Sequence, residues 1–246
     1  MFSSLNFIKD AGEAFMRIKA VVFDLDGTIS CFNLDYSAAR AEVRSFLISR
    51  GVPAVLLSLD EGIFRMLRKA ELFLKVRKPR KSFDEIRNQA LAITEKFELD
   101  AAMRTTLLPG ILETLEALKQ MGLKVGLFTI NSEKSVNCIL KRFGIDALFD
   151  VTVTRDKVKH LKPHPEHLKA ALKALGTSTK HTLVVGDGAV DMQSAKDLKV
   201  IAVGLSTSFS TAEHLKQSGA NYIITSASDL PSLITRINRL SDENGC

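Results

Sequence analysis

The chain has 246 residues, 46% of them hydrophobic and 25% charged, with 34 Lys and Arg against 28 Asp and Glu for a net charge of +6. That composition excludes a disordered or fibrous chain, and the length suits one large domain or a core carrying an insertion. Cys31, Cys138 and Cys246 are far apart and form no CxxC pair, which excludes a disulfide framework or a thiolate zinc site and predicts a cytoplasmic protein.

The N-terminal stretch Met1–Arg17 carries Lys9, Asp10 and Glu13 where a secretion signal would be uncharged, so no signal is expected. Met16 stands just before Arg17-Ile18-Lys19-Ala20 and is a second candidate for the start of translation. The first strand is predicted at Ala20–Phe23. Neither it nor the other long apolar run, Val125–Phe128, approaches the roughly 20 residues that span a bilayer, so no membrane partner is expected.

Further strands are predicted at Lys124–Phe128, Val151–Val153, Thr182–Val185, Val200–Val203 and Tyr222–Ile224. Helical spacing at Ile111–Met121, Ser135–Phe143, Glu166–Leu175 and Val190–Leu198 alternates with them. Strand-helix alternation of this kind predicts an α/β fold built on a parallel, Rossmann-like sheet. The alternation fails between Asp26 and Pro109, where Tyr36–Ser49, Leu59–Leu74, Phe83–Phe97 and Ala101–Leu107 all have helical periodicity. Gly51-Val52-Pro53 and Lys78-Pro79-Arg80 supply the breaks. The reading is a catalytic core of residues 1–31 and 108–246, with residues 32–107 inserted as a helical module.

The first strand runs into Asp24-Leu25-Asp26-Gly27-Thr28. Two carboxylates on one side of an extended segment repel one another, and a divalent cation relieves the repulsion. The Thr182–Val185 strand likewise ends in Gly186-Asp187-Gly188, with Asp191 on the first turn of the next helix. Ligands of open parallel sheets sit beyond the carboxyl ends of strands where strand order reverses. For the two acidic ends to share one metal, the first and fourth strands must be neighbours. An all-oxygen ligand set favours Mg²⁺ over zinc.

Donors for an anion are also present. Thr129, followed by Ile130, Asn131 and Ser132 at a helix start, offers a hydroxyl and free amides. Lys162 precedes Pro163, His164 and Pro165, and the prolines fix the local backbone. Lys157 and Lys159 compete for the same role but lack a following proline. These groups suit phosphoryl transfer, in which charge on the phosphoryl oxygens must be met by preorganised donors. Asp24 is the candidate nucleophile, forming an aspartyl-phosphate, and Asp26 the general acid and then base.

In these four segments, Asp24-Leu25-Asp26-Gly27-Thr28, Leu127-Phe128-Thr129, Lys162-Pro163 and Gly186-Asp187-Gly188-Ala189-Val190-Asp191, the chain resembles haloacid dehalogenase superfamily phosphatases. The resemblance covers Ile18 to about Leu240 and implies Mg²⁺ held by Asp24, the main-chain carbonyl of Asp26 and Asp187, with Asp191 in or near the second ring of contacts. It also implies that the insertion is a helical cap closing over a small phosphorylated substrate. The Thr129–Asn131 and Lys162–Glu166 stretches most resemble phosphoglycolate phosphatase-like members, archaeal ones included. The resemblance implies that Thr129, Asn131 and Lys162 bind the phosphate, although many relatives place Asn directly after the Thr and Ile130 intervenes here.

The basic run Lys75–Lys81 lacks interleaved aromatics and is read as a solvated interhelix loop, with no nucleic-acid partner expected. His160, His164 and His167 match no zinc spacing and are read as polar loop and helix-start residues. Hydrolysis of a phosphomonoester leads. A phosphomutase on the same core and a non-catalytic phosphate-binding module remain as alternatives, while a metal-free dehalogenase leaves Asp26, Asp187 and Asp191 without a purpose.

Overall fold

The protein is described from a computed structural model covering residues 17–31, 33–76, 80–208 and 210–243, with residues 80–82 as backbone only. The possible start at Met16, the N-terminal stretch before Arg17, residues 77–79 of the Lys75–Lys81 run and Cys246 lie outside the described residues. By internal packing the chain divides into two compact units, one formed by Asn33–Arg104 and the other by the chain on either side of it.

The larger unit is a six-stranded parallel sheet in the order β3-β2-β1-β4-β5-β6, its strands being β1 Ala20–Phe23, β2 Lys124–Phe128, β3 Val151–Val153, β4 Thr182–Gly186, β5 Ile201–Leu205 and β6 Tyr222–Ile224. Strand β1 is central. It pairs with β2 through Ala20 to Lys124 and Phe23 to Leu127, and with β4 through Ala20 to Thr182 and Phe23 to Val185. The adjacency of first and fourth strands is therefore as the two acidic strand ends require. All four residues of β1 are fully buried, as expected where helices cover both faces of a parallel sheet.

On one face Ala20, Val22, Phe128 and Val184 pack with Leu168, Ala171, Leu172 and Leu175 of α6 (Pro165–Leu175) and Met192 and Ala195 of α7 (Ala189–Asp197). Burial of a ring such as Phe128 contributes roughly 2–3 kcal/mol. The remaining helices of this unit are α4 Ile111–Gln120, α5 Glu133–Arg142, α8 Ala212–Ser218 and α9 Leu230–Glu243. Within this unit, on either side of the inserted segment, Ser30 and Leu107 pair as an antiparallel bridge.

The smaller unit contains α1 Tyr36–Ser49, α2 Ile63–Lys75 and α3 Arg80–Arg104. Ala39, Val43 and Leu47 of α1 and Met66, Ala70 and Leu74 of α2, each at four-residue spacing, form its core with Phe83, Ile86 and Ala90 of α3. Two boundaries differ from the spacing-based expectation. Phe83–Phe97 and Ala101–Leu107 belong largely to one helix, because no Gly or Pro interrupts the chain between Ser82 and Thr106. Helix α2 begins at Ile63 and not Leu59, because the Glu61 carboxylate accepts from the Ser58 amide at 2.8 Å and holds the preceding residues as a turn. Among the described residues, no helix is long and apolar enough to cross a membrane.

Candidate active site

The Asp24 amide still donates to Val185 O at 2.9 Å, so strand pairing carries Asp24 one residue past β1 to the sheet's carboxyl edge. The amides of Ile29 and Ser30 then turn back onto Leu25 O, and Gly27, with φ +77°, closes the loop. That φ favours glycine. The loop holds Asp24 buried, at 8% exposure, where its Oδ1 accepts from the ammonium of Lys162.

Lys162 has three acceptors. Besides Asp24 it donates to Asp191 Oδ1 at 2.7 Å and to Phe128 O at 3.3 Å, and its Nζ lies 4.4 Å from the centroid of the Phe128 ring. Burial alone would pull its pKa down, but the Asp191 and Asp24 carboxylates outweigh it and hold the group firmly charged. The peptide bond from Lys162 to Pro163 is cis. Lys157, by contrast, donates to Thr152 O at 3.1 Å and pairs with Glu133 at 3.0 Å, both away from Asp24.

Asp187 follows β4 directly, and Asp191 lies on the first turn of α7, where its Oδ2 accepts from the Gly188 amide at 3.1 Å. Asp24, Asp187 and Asp191 each place a carboxylate oxygen within 4.8 Å of the others. Three carboxylates against one ammonium leave this group net negative. Burial, and then the charges of Asp24 and Asp191, push Asp187 up to about 7, while burial raises Asp191 to about 6. Such a group is poorly compensated without a cation, and its donors are all oxygen. The arrangement therefore fits a hard divalent ion such as Mg²⁺.

Asp26 stands apart from that trio. Its Oδ2 accepts from Asn131 Nδ2 at 2.7 Å and its Oδ1 from Ser30 Oγ at 3.4 Å. Asn131 thus meets the second carboxylate of the Asp24–Thr28 loop, an arrangement its position after Ile130 did not announce. Thr129 is buried at the end of β2; its amide donates to Val153 O at 3.0 Å and its Oγ1 accepts from the Asn131 amide at 3.2 Å. Ser132 caps α5 by accepting from the Ser135 amide.

One residue departs from its expected setting. His167 does lie on the first turn of α6, but it is fully buried and not in a polar, solvated setting. Its Nδ1 accepts from the Lys162 amide at 3.3 Å, its Nε2 meets Val153 O at 3.1 Å, and its ring stands edge-on to Phe128 with centroids 5.5 Å apart. Spacing carried the signal, since His167 shares the buried face of α6 with Ala171 and Leu175 at successive four-residue steps. His164 does sit at the helix start, capping α6 by accepting from the Glu166 amide.

Residues 18–199 match the family model of haloacid dehalogenase-like hydrolases. The chain belongs to that family. Among curated members, pyrophosphatase PpaX of Bacillus mycoides strain KBAB4 is 35% identical over 128 residues, which are 52% of this chain and 60% of that protein. The chain thus spans about 60% of the length of the curated relatives it matches. Among solved structures, a predicted phosphoglycolate phosphatase from Haemophilus somnus 129PT has a TM-score of 0.60 at 25% identity, over 88% of this chain and 97% of that one. The β-phosphoglucomutase of Clostridium difficile has a TM-score of 0.64 at 22% identity, over 91% and 98%. At that identity the likeness speaks to the hydrolase-family fold alone.

Proposed function

We propose that this chain is a Mg²⁺-dependent phosphatase that hydrolyses a small phosphorylated metabolite through an aspartyl-phosphate on Asp24. The observation that carries the proposal is the meeting of Asp24 with Lys162, Asp187 and Asp191, with Asp26 two residues away and held by Asn131. Asp24 and Asp187 would hold the ion together with the main-chain carbonyl of Asp26, and Asp191 would brace Lys162 behind them. When bound, the ion supplies positive charge that polarises the phosphoryl group.

In the first step an Asp24 carboxylate oxygen attacks phosphorus, and the ester oxygen leaves with a proton from Asp26. The Asp26 carboxylate then takes a proton from the water that attacks the aspartyl-phosphate, which frees phosphate and regenerates Asp24. Throughout, Lys162 faces the nucleophile with a fixed positive charge. The Thr129 hydroxyl, whose oxygen already accepts from the Asn131 amide, keeps its hydrogen for a phosphoryl oxygen. Asn131, donating to Asp26, aims that carboxylate.

The helical unit, inserted just after the Asp24–Thr28 loop, is the proposed cap and source of substrate selection. Cysteine usage is consistent with a cytoplasmic setting. A panel of 2-phosphoglycolate, hexose phosphates and inorganic pyrophosphate, the last because the 35% identical relative is named a pyrophosphatase, tests the proposal. Mg²⁺-dependent phosphate release that disappears in Asp24→Asn is expected. Transfer to an isomeric sugar phosphate with no free phosphate overturns hydrolysis in favour of a mutase, and no turnover of any ester overturns the enzymatic reading.

A further inference from the structure

Val153 O accepts from two groups that serve different parts of the site. One is the Thr129 amide at 3.0 Å, and the other is His167 Nε2 at 3.1 Å. The opposite nitrogen of His167 accepts from the Lys162 amide at 3.3 Å. A single imidazole therefore joins the Thr129 strand end to the segment that carries Lys162.

These partners fix its chemistry. A backbone N–H facing Nδ1 requires a lone pair there, and a carbonyl facing Nε2 requires a hydrogen, so the ring is the neutral Nε2–H tautomer. Burial, then the nearby Lys162 charge, pushes its pKa down to about 4, consistent with a neutral ring at physiological pH. The edge-on contact of the ring also supports Phe128, beside which the Lys162 ammonium sits.

We propose that His167 is a positioning residue for Lys162, holding the lysine's backbone and the Phe128 ring so that the ammonium meets Asp24. This inference rests on the phosphatase reading above. An apolar side chain at position 167 leaves the buried Lys162 amide without its acceptor, and the segment shifts to find another. Displacement of a reacting group by about 1 Å costs on the order of a hundredfold in rate.

The test is a double-mutant cycle on the Mg²⁺-loaded full chain with p-nitrophenyl phosphate, run with substitutions that separate the two ring nitrogens. His167→Leu removes both hydrogen bonds. His167→Asn keeps an acceptor near the Nδ1 position, and His167→Gln keeps a donor near Nε2. The expected result is a loss of kcat on the order of a hundredfold in the Leu and Gln variants with a smaller change in KM. The Asn variant recovers most of the loss. In addition, His167→Leu combined with Lys162→Met is no slower than Lys162→Met alone, because both changes act through one ammonium.

Retention of kcat in a folded His167→Leu variant, equal loss in the Asn and Gln variants, or multiplying losses in the double variant overturns the proposal. Imidazole ¹⁵N spectra of the wild-type chain provide a readout that needs no activity. The Nε2–H tautomer with a coupling from the Lys162 amide to Nδ1 supports it, and an imidazolium or Nδ1–H ring at neutral pH overturns it. Wild-type protein that releases no phosphate refutes the phosphatase reading, and the spectra then decide the positioning role separately.

Discussion

Gly27 and Asp187 approach so closely that no side chain fits at position 27: a β-carbon there would lie 2.1 Å from Asp187 Oδ2. The contact brings the loop after β1 against the loop after β4. Gly27→Ala is expected to displace Asp187, reducing both Mg²⁺ affinity by calorimetry and phosphatase kcat on the order of a hundredfold. Gly51 is the contrasting case, with φ +94° and nothing within 4 Å of the place a β-carbon would take. Gly51→Ala should cost only the conformational penalty of about 1–2 kcal/mol and leave kcat unchanged.

The crowding of Asp24, Asp187 and Asp191 makes a signed prediction for metal removal. Saturating Mg²⁺, at about 100 times Kd, should stabilise the wild-type chain by about 2.7 kcal/mol, roughly 5–10 °C in Tm, and chelation should reverse it. Asp187→Asn relieves repulsion, so its metal-free form should melt at or above the wild-type temperature while the Mg²⁺ increment disappears. A variant that keeps the full increment would show that Asp187 does not hold the ion.

The hydrogen bond from Asn131 to Asp26 predicts that Asn131→Ala slows proton transfer more than it weakens binding. The expected loss in kcat is about 10- to 100-fold, below the full worth of a general acid and base. Pre-steady-state kinetics with esters of differing leaving-group pKa check it. Loss should be greatest for poor leaving groups, which depend most on the Asp26 proton.

How much of this was legible in the sequence depends on range. Strand-helix alternation and the acidic strand ends predict the parallel sheet, and the need for Asp24 and Asp187 to share a cation predicts the β1–β4 adjacency. Asn131 meeting Asp26 and His167 bridging Lys162 to Val153 were not legible, because each joins segments whose approach is set only by the folded sheet. His167 was further hidden by its residue type. A histidine beside a charged loop reads as polar, although its position on the Ala171 and Leu175 face was available. In the helical unit, the continuity of α3 through Asp100 depended on the lack of any breaker.

Glu61 carries a pH prediction for the helical unit. Burial pushes its carboxyl up, but the Lys69 hydrogen bond, the Ser58 amide and the charges of Lys69 and Arg65 together hold it below its ordinary 4.5. A depressed carboxyl contributes stability that is present above that value and is lost as pH falls through the lower folded one. Glu61→Gln should therefore destabilise the protein by about 1 kcal/mol at pH 7, with the difference shrinking as pH falls below 4.5. Chemical denaturation at both pH values measures it.

The central claim is that the bond to phosphorus forms on Asp24. Turnover of a phosphate ester in Mg²⁺, stopped by acid and treated with borohydride, converts an aspartyl-phosphate to homoserine at the phosphorylated residue. Peptide mass spectrometry should then find homoserine at position 24 and unmodified aspartate at 26, 187 and 191. Rapid hydrolysis with position 24 unmodified, or undiminished turnover in Asp24→Asn, would contradict the account.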